Sequence, residues 1–168
     1  MGNYKNLSDE NAIAKLKELA EGIKTCMFST DLETLPISSR PMGLQEVDDK
    51  GNLWFISSRS SNKNFEIKED DRVQLFFAQN SSYQYLSVFG NATIYRDQSK
   101  IDEIWTPIAN AWFEQGKEDP DVTVIKVAPS DIYYWDNEDS KVVSLLKIAV
   151  KAVGANVSDG GVEGKMHI

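Results

Sequence analysis

Five short segments, TCMFST, PISSRPMGLQEV, LWFIS, RVQLFFAQ and YLSVFGNATIY, follow one another between Thr25 and Tyr95, each rich in β-branched or aromatic residues and bounded by turn chemistry. Such side chains pack best on a pleated surface, so the series predicts neighbouring strands. The connection Asp48-Asp49-Lys50-Gly51-Asn52 carries glycine near its end, which predicts a hairpin between the second and third strands. The segment DVTVIKVAPSDIYYWD returns to strand texture further on. Five or six antiparallel strands leave exposed edges unless the sheet closes on itself, so the expected class is α+β, with a barrel and helices at its ends.

The helices are legible from spacing and punctuation. Ile13, Leu16, Leu19, Ala20 and Ile23 recur at helical spacing after Ser8, which predicts an amphipathic first helix with Ser8 as its cap. The polar run SRSSNKNFEIKEDD, with Phe65 and Ile67 inside it, predicts a helix of two or three turns between two strands. Asp97 is placed to cap a further helix with Ile101, Ile104 and Trp105, which Pro107 interrupts before Ala111, Trp112 and Phe113. Residues 142–153, VVSLLKIAVKAV, predict a last helix. The glycine-rich remainder GANVSDGGVEGKMHI has little to bury and is expected to be mobile. The expectation is one domain over residues 1–153 and a flexible tail over 154–168.

Charge and rare residues narrow the function. With 26 acidic against 18 basic residues and a net charge of -8, extended contact with phosphate backbones is unfavourable, so no nucleic-acid partner is expected. The one cysteine, Cys26, excludes an internal disulfide and a multi-cysteine metal site, and fits a reducing compartment. Charged residues interrupt every apolar run near the N-terminus, so neither a signal peptide nor a membrane span is expected, and the expected location is cytoplasmic. The one histidine, His167, lies in the glycine-rich tail, which gives no support to a histidine-based triad or a metal centre. No nucleophile elbow and no phosphate-binding glycine loop is present.

What remains is a local concentration of cations and hydroxyls in an acidic chain: Arg40, then Ser57, Ser58, Arg59, Ser60, Ser61, Asn62 and Lys63. A phosphate needs a charge partner and several donors held together, and a strand end running into a helix start adds backbone N–H groups. Composition alone suits a solvated, helix-capping loop as well. Arg40-Pro41-Met42 lies in an otherwise strand-like run, where proline belongs at an edge or a bulge. Trp54, Trp105, Trp112 and Trp135 suit core or interface packing.

Taken together, RPM, LWF followed by Ser60-Ser61-Asn62-Lys63, SVFGNA, and WTP with AWF and DPD behind it resemble the general stress protein branch of the pyridoxamine 5'-phosphate oxidase-like split barrels, over about Ile13 to Val153. The resemblance implies a mainly β, six-stranded antiparallel split barrel with peripheral helices. It implies a homodimer with flavin mononucleotide (FMN) in each of two clefts between the subunits. By position, Arg40 and Lys63 would hold the phosphate, aided by Ser61 and Asn62. Pro41 and Met42 would present backbone near the ring system, and Ile56 and Ser57 would follow the ribityl chain and ring edge. Tyr85 would stand where the family often has a cofactor-facing polar side chain, and Trp105 and Trp112 would come from the partner subunit. FAD or a deazaflavin is the alternative ligand.

Two departures bear on activity. Authentic oxidases of the family carry a substrate-phosphate lysine where this chain has Gln45, and they end in an arginine-rich motif that is missing here. Pyridoxamine phosphate oxidation is therefore not expected. The function implied is a flavin-dependent oxidoreductase acting on another small molecule, with a non-catalytic flavin-binding, buffering or stress-sensing module as the alternative; no catalytic side chain is assigned. A flavin-free barrel dimer acting through protein contacts is the third possibility.

Overall fold

Strand β1 (Asn3–Tyr4) and strand β2 (Leu7–Ser8) lead into helix α1 (Asp9–Ile23) in the computed structural model, which describes residues 3–137 and 160–168. Ser8 stands at the helix cap position as expected, but its hydroxyl makes no capping hydrogen bond. The apolar spacing of α1 buries Ala12, Leu16, Leu19 and Ala20 against the barrel core. The helix expected over residues 142–153 lies outside the described residues.

The predicted strands form as β3 (Thr25–Thr30), β4 (Ser38–Val47), β5 (Leu53–Ser58), β6 (Arg72–Gln79), β7 (Gln84–Tyr95) and β8 (Val122–Asn137). They pair in the order β8-β5-β4-β3-β6-β7, and β7 pairs back onto β8, which closes a six-stranded antiparallel barrel. Inward-facing side chains fill it: Phe28, Phe55, Leu75, Val88 and Ile125 are fully buried, with the Phe28 and Phe55 rings edge to face at 5.2 Å between centroids. Alternation along the strands sends the intervening residues outward.

The hairpin between β4 and β5 is held by its own residues. Asp48 exchanges backbone hydrogen bonds with Gly51 and Asn52, both at 2.9 Å, and Gly51 adopts a φ of 78° that favours glycine. The Asp48 carboxylate also accepts from Lys50 N, Asn52 N and Trp54 Nε1. The polar insert after β5 becomes α2 (Asn62–Glu69), as the composition predicts, and α3 (Gln98–Ile104) starts at Asp97, whose carboxylate accepts from the amides of Ser99 and Lys100. Pro107 opens a 3-10 turn over Pro107–Ala111. Ile101, Ile104 and Phe113 bury against Val122 and Val124, with Ile56 and Trp105 packed alongside, so α3 and the turn form a wall outside β5 and β8.

The described part of the glycine-rich tail, residues 160–168, departs from expectation. Residues Gly161–His167 form β9, which pairs antiparallel with Ile132–Asn137 of β8 and parallel with β1 and β2. Val162 and Met166 enter the barrel core cluster, so this segment does have something to bury. A Cβ at Gly164 would stand 2.1 Å from the Lys5 carbonyl oxygen. That glycine makes room for the chain crossing above it, and its presence reflects close packing rather than freedom.

Candidate functional site

β4 changes partners along its length, and that change opens a cleft. Residues Ser38 to Gly43 pair only with β3, whereas Leu44 to Val47 pair with β5 across a register shift at Gln45. On the other side, Ile56 to Ser58 of β5 pair with β8 and not with β4. Between the first half of β4 and the second half of β5 the barrel is therefore split. Pro41, which cannot donate to a ladder, sits in that one-sided stretch, as its chemistry requires.

The split is the mouth of a cleft of about 420 Å³, a volume in the range of small-molecule sites. Arg40, Pro41, Met42, Gly43 and Gln45 line it from β4, and Ile56, Ser57 and Ser58 from β5. Lys63 enters from the first turn of α2. The far wall is Thr106, Ile108, Ala109, Trp112 and Phe113. Seven of the residues expected from sequence, Arg40, Pro41, Met42, Ile56, Ser57, Lys63 and Trp112, thus meet in one cavity.

The two cations lie in different surroundings. Arg40 Nη1 donates to Phe28 O at 3.3 Å and to Thr30 Oγ1 at 2.5 Å, while Nη2 donates to Ser38 Oγ at 2.5 Å and to Glu66 Oε2 at 2.9 Å. Burial alone would push the Glu66 carboxyl up, but hydrogen bonds from Thr30 and Ser38 and the Arg40 charge outweigh it and hold the group below the ordinary carboxylate range. Lys63 has no hydrogen-bond or ion-pair partner among the described residues. Burial, then the repulsion of Arg40, pushes its ammonium below the usual lysine value, against weaker attraction from Asp121 and Glu66.

The loop that leads into α2 and Lys63 is fixed by a buried polar network. Ser57 Oγ donates to Asn64 Oδ1 at 2.8 Å, Asn64 Nδ2 donates to Thr123 Oγ1 at 3.0 Å, and Thr123 Oγ1 donates to Ser57 O at 2.8 Å. Asp121 accepts from Ser60 N at 3.0 Å and from the hydroxyls of Ser58 and Ser60. The hydroxyl-rich composition is therefore used largely to hold the loop's shape. Ser61 caps α2 by position and donates its hydroxyl to Ser58 O at 2.7 Å; neither it nor Asn62 lines the cleft.

Three aromatic expectations resolve differently. Trp112, expected from a partner subunit, lines the cleft of its own chain and is 80% exposed. Trp105 lies behind that wall, its ring 5.8 Å from Phe113. Tyr85 sits at the start of β7, opposite Trp135 in register, with its hydroxyl donating to Asn80, away from this cavity. Sequence reasoning missed Glu66, Thr30 and Ser38 around Arg40, and Asn64 and Thr123 beneath the loop. Only an acidic residue three positions after Lys63, one helical turn on, hinted at the first of these.

Comparison with known proteins places this geometry in a lineage. The chain is 28% identical over 148 residues to protein bli-3 of Neurospora crassa, covering 83% of this chain and 66% of bli-3, so it spans just under two thirds of that relative. It is 27% identical over 96 residues to general stress protein 26 of Bacillus subtilis, covering 55% of this chain and 68% of that protein. Among solved structures, the general stress FMN/FAD binding protein of Xanthomonas citri superposes with a TM-score of 0.65 at 25% identity, covering 77% of this chain and 90% of that one. The family model for proteins like pyridoxamine 5'-phosphate oxidase matches residues 11–159, and the chain belongs to that family.

Proposed function

We propose that this chain binds FMN in the split between β4 and β5, as a cytoplasmic homodimer, and that it works as a flavin-dependent oxidoreductase on an uncharged small molecule. The observation that carries the reading is the polarity of the cleft: among the described residues its charged lining is Arg40 and Lys63, which stand together, and the opposite wall is Ile108, Ala109, Trp112 and Phe113. An amphipathic ligand with a phosphate at one end and a flat ring system at the other matches that arrangement. FMN is such a ligand, and the FMN/FAD-binding relative from Xanthomonas citri supports the choice.

Lys63 would hold the phosphate by a charge-assisted hydrogen bond, with the Arg40 charge behind it. Ser57, already bonded to Asn64, keeps the loop at the correct height. Pro41 and Met42 would face the ring edge, and Trp112 would cover it and exclude water. The bound flavin would supply the redox chemistry, and the protein orientation and electrostatics. Gln45 lines the cleft where a second cation would be needed for a phosphorylated substrate, so an uncharged substrate fits better. The dimer is supported by an exposed apolar row next to the site: Pro41 and Phe76 flank Met27 in register on adjacent strands, with Met27 45% and Phe76 50% exposed.

The test is an equilibrium titration of FMN with protein, followed by flavin fluorescence and absorbance. Saturable perturbation of both signals at one site per chain is expected; unchanged signals would remove the reading. A bound flavin that no reductant reduces faster than free FMN would leave the binding and point to the non-catalytic alternative.

A further inference from the structure

Arg40 lines the cleft, yet both of its terminal nitrogens are engaged by its own chain. Its four contacts, to Phe28 O, Thr30 Oγ1, Ser38 Oγ and Glu66 Oε2, match the four N–H bonds that the two nitrogens carry. The Glu66 carboxylate in turn accepts from Thr30, from Ser38 at 3.0 Å and from Arg40 at 2.9 Å. Lys63, one helical turn before Glu66 on α2, has no such partner among the described residues. Of the two cations at this end of the cleft, Arg40 is ion-paired within its own chain and Lys63 has no ion-pair partner among the described residues.

We propose that Glu66 determines how tightly this site holds a phosphate, by competing with it for Arg40. The proposal rests on the flavin-phosphate reading above and deepens it. A phosphate that approaches Lys63 meets a guanidinium whose terminal nitrogens are already engaged, Nη2 by the Glu66 carboxylate. To gain the Nη2 hydrogen bond that Glu66 now accepts it must displace that carboxylate, and short of that the Glu66 charge offsets much of the attraction of Arg40. Asp121 on the loop beside Lys63 lowers the local charge further, with exposed Arg59 as its counterweight. The site is thereby set to exchange its phosphorylated ligand rather than to retain it permanently. Selection for phosphate falls to Lys63, and Glu66 sets the strength.

Glu66→Gln removes the charge and keeps one acceptor oxygen for the Thr30 and Arg40 contacts, while its amide nitrogen takes the place of the oxygen that faces Ser38. Dissociation constants for FMN and for riboflavin, which lacks the phosphate, are measured on wild type and variant by fluorescence titration. FMN is expected to bind the variant about tenfold more tightly, with riboflavin unchanged within about twofold, as an added unit of local positive charge requires. Glu66→Ala, with riboflavin affinity as the check on the fold, should move FMN in the same direction if the glutamine variant proves unstable. FMN affinity that is unchanged or weaker in both variants, with wild type still preferring FMN to riboflavin, would overturn the competition and make Glu66 a residue that positions Arg40. Wild type that does not distinguish FMN from riboflavin would overturn the phosphate reading and this proposal with it.

Discussion

The two ends of the cleft are built by different physics. At the charged end, Arg40, Lys63 and Glu66 meet because β4 pairs beside β3 and Glu66 of α2 reaches side chains of both, with Arg40 and Glu66 oriented by specific hydrogen bonds. At the apolar end, Ile108 and Trp112 stand 78% and 80% exposed on a short 3-10 turn, anchored by Phe113 and Ala109 below. The first end recognises one functional group with fixed geometry. The second offers surface that any flat apolar ring can cover, so it contributes affinity without much selection.

Separate perturbations should split along that line. Lys63→Ala should have the largest effect, weakening FMN by about 1.5–3 kcal/mol, the worth of a charge-assisted hydrogen bond, while riboflavin binding holds. Isothermal titration of both ligands measures this, and equal losses for the two would break the division. Trp112→Ala should weaken FMN and riboflavin alike, by about 1–2 kcal/mol for the lost aromatic cover. A loss confined to FMN would mean that Trp112 senses the phosphate end.

pH sharpens the comparison further. Burial and the Arg40 charge hold Lys63 below the ordinary lysine range, so its proton leaves at lower pH than from a free lysine. Loss of that proton removes the attraction for phosphate. The FMN-over-riboflavin ratio should therefore fall as pH rises through the depressed Lys63 pKa, while riboflavin affinity stays level; parallel titration curves would contradict the assignment. The smallest effect is expected from Gln45→Lys, which adds a cation to the neutral half. FMN affinity should change by less than about 0.5 kcal/mol, because Gln45 lies against Thr106 of the far wall and not among the groups assigned to the phosphate, while a phosphorylated competitor gains.

Much of this was legible in the sequence, for physical reasons. The strands were, because β-branched and aromatic runs between turns have few other ways to fold, and the hairpin at Gly51 was, because its backbone needs the left-handed region. Arg40, Pro41 and Lys63 were legible as cations and a ladder-breaking proline in the wrong company for a plain surface strand. Glu66, Thr30 and Ser38 were not, since three residues spread over the chain acquire a common purpose only when the barrel closes. The β9 strand was misread because glycine signals freedom in a sequence and close approach in a packed sheet alike; only the Lys5 carbonyl over Gly164 decides between them. Trp112 was assigned to a partner because nothing in its local sequence says that the turn after Pro107 folds back over β4 and β5.

The most direct test of the central claim is the ratio of FMN to riboflavin affinity in the wild-type chain, set beside the same ratio in Lys63→Ala. A wild-type preference for FMN of tenfold or more, roughly what one charge-assisted bond supplies, that collapses to near unity in the variant is the predicted result. Equal affinity for the two ligands in wild type, or a preference that survives the loss of Lys63, would contradict it.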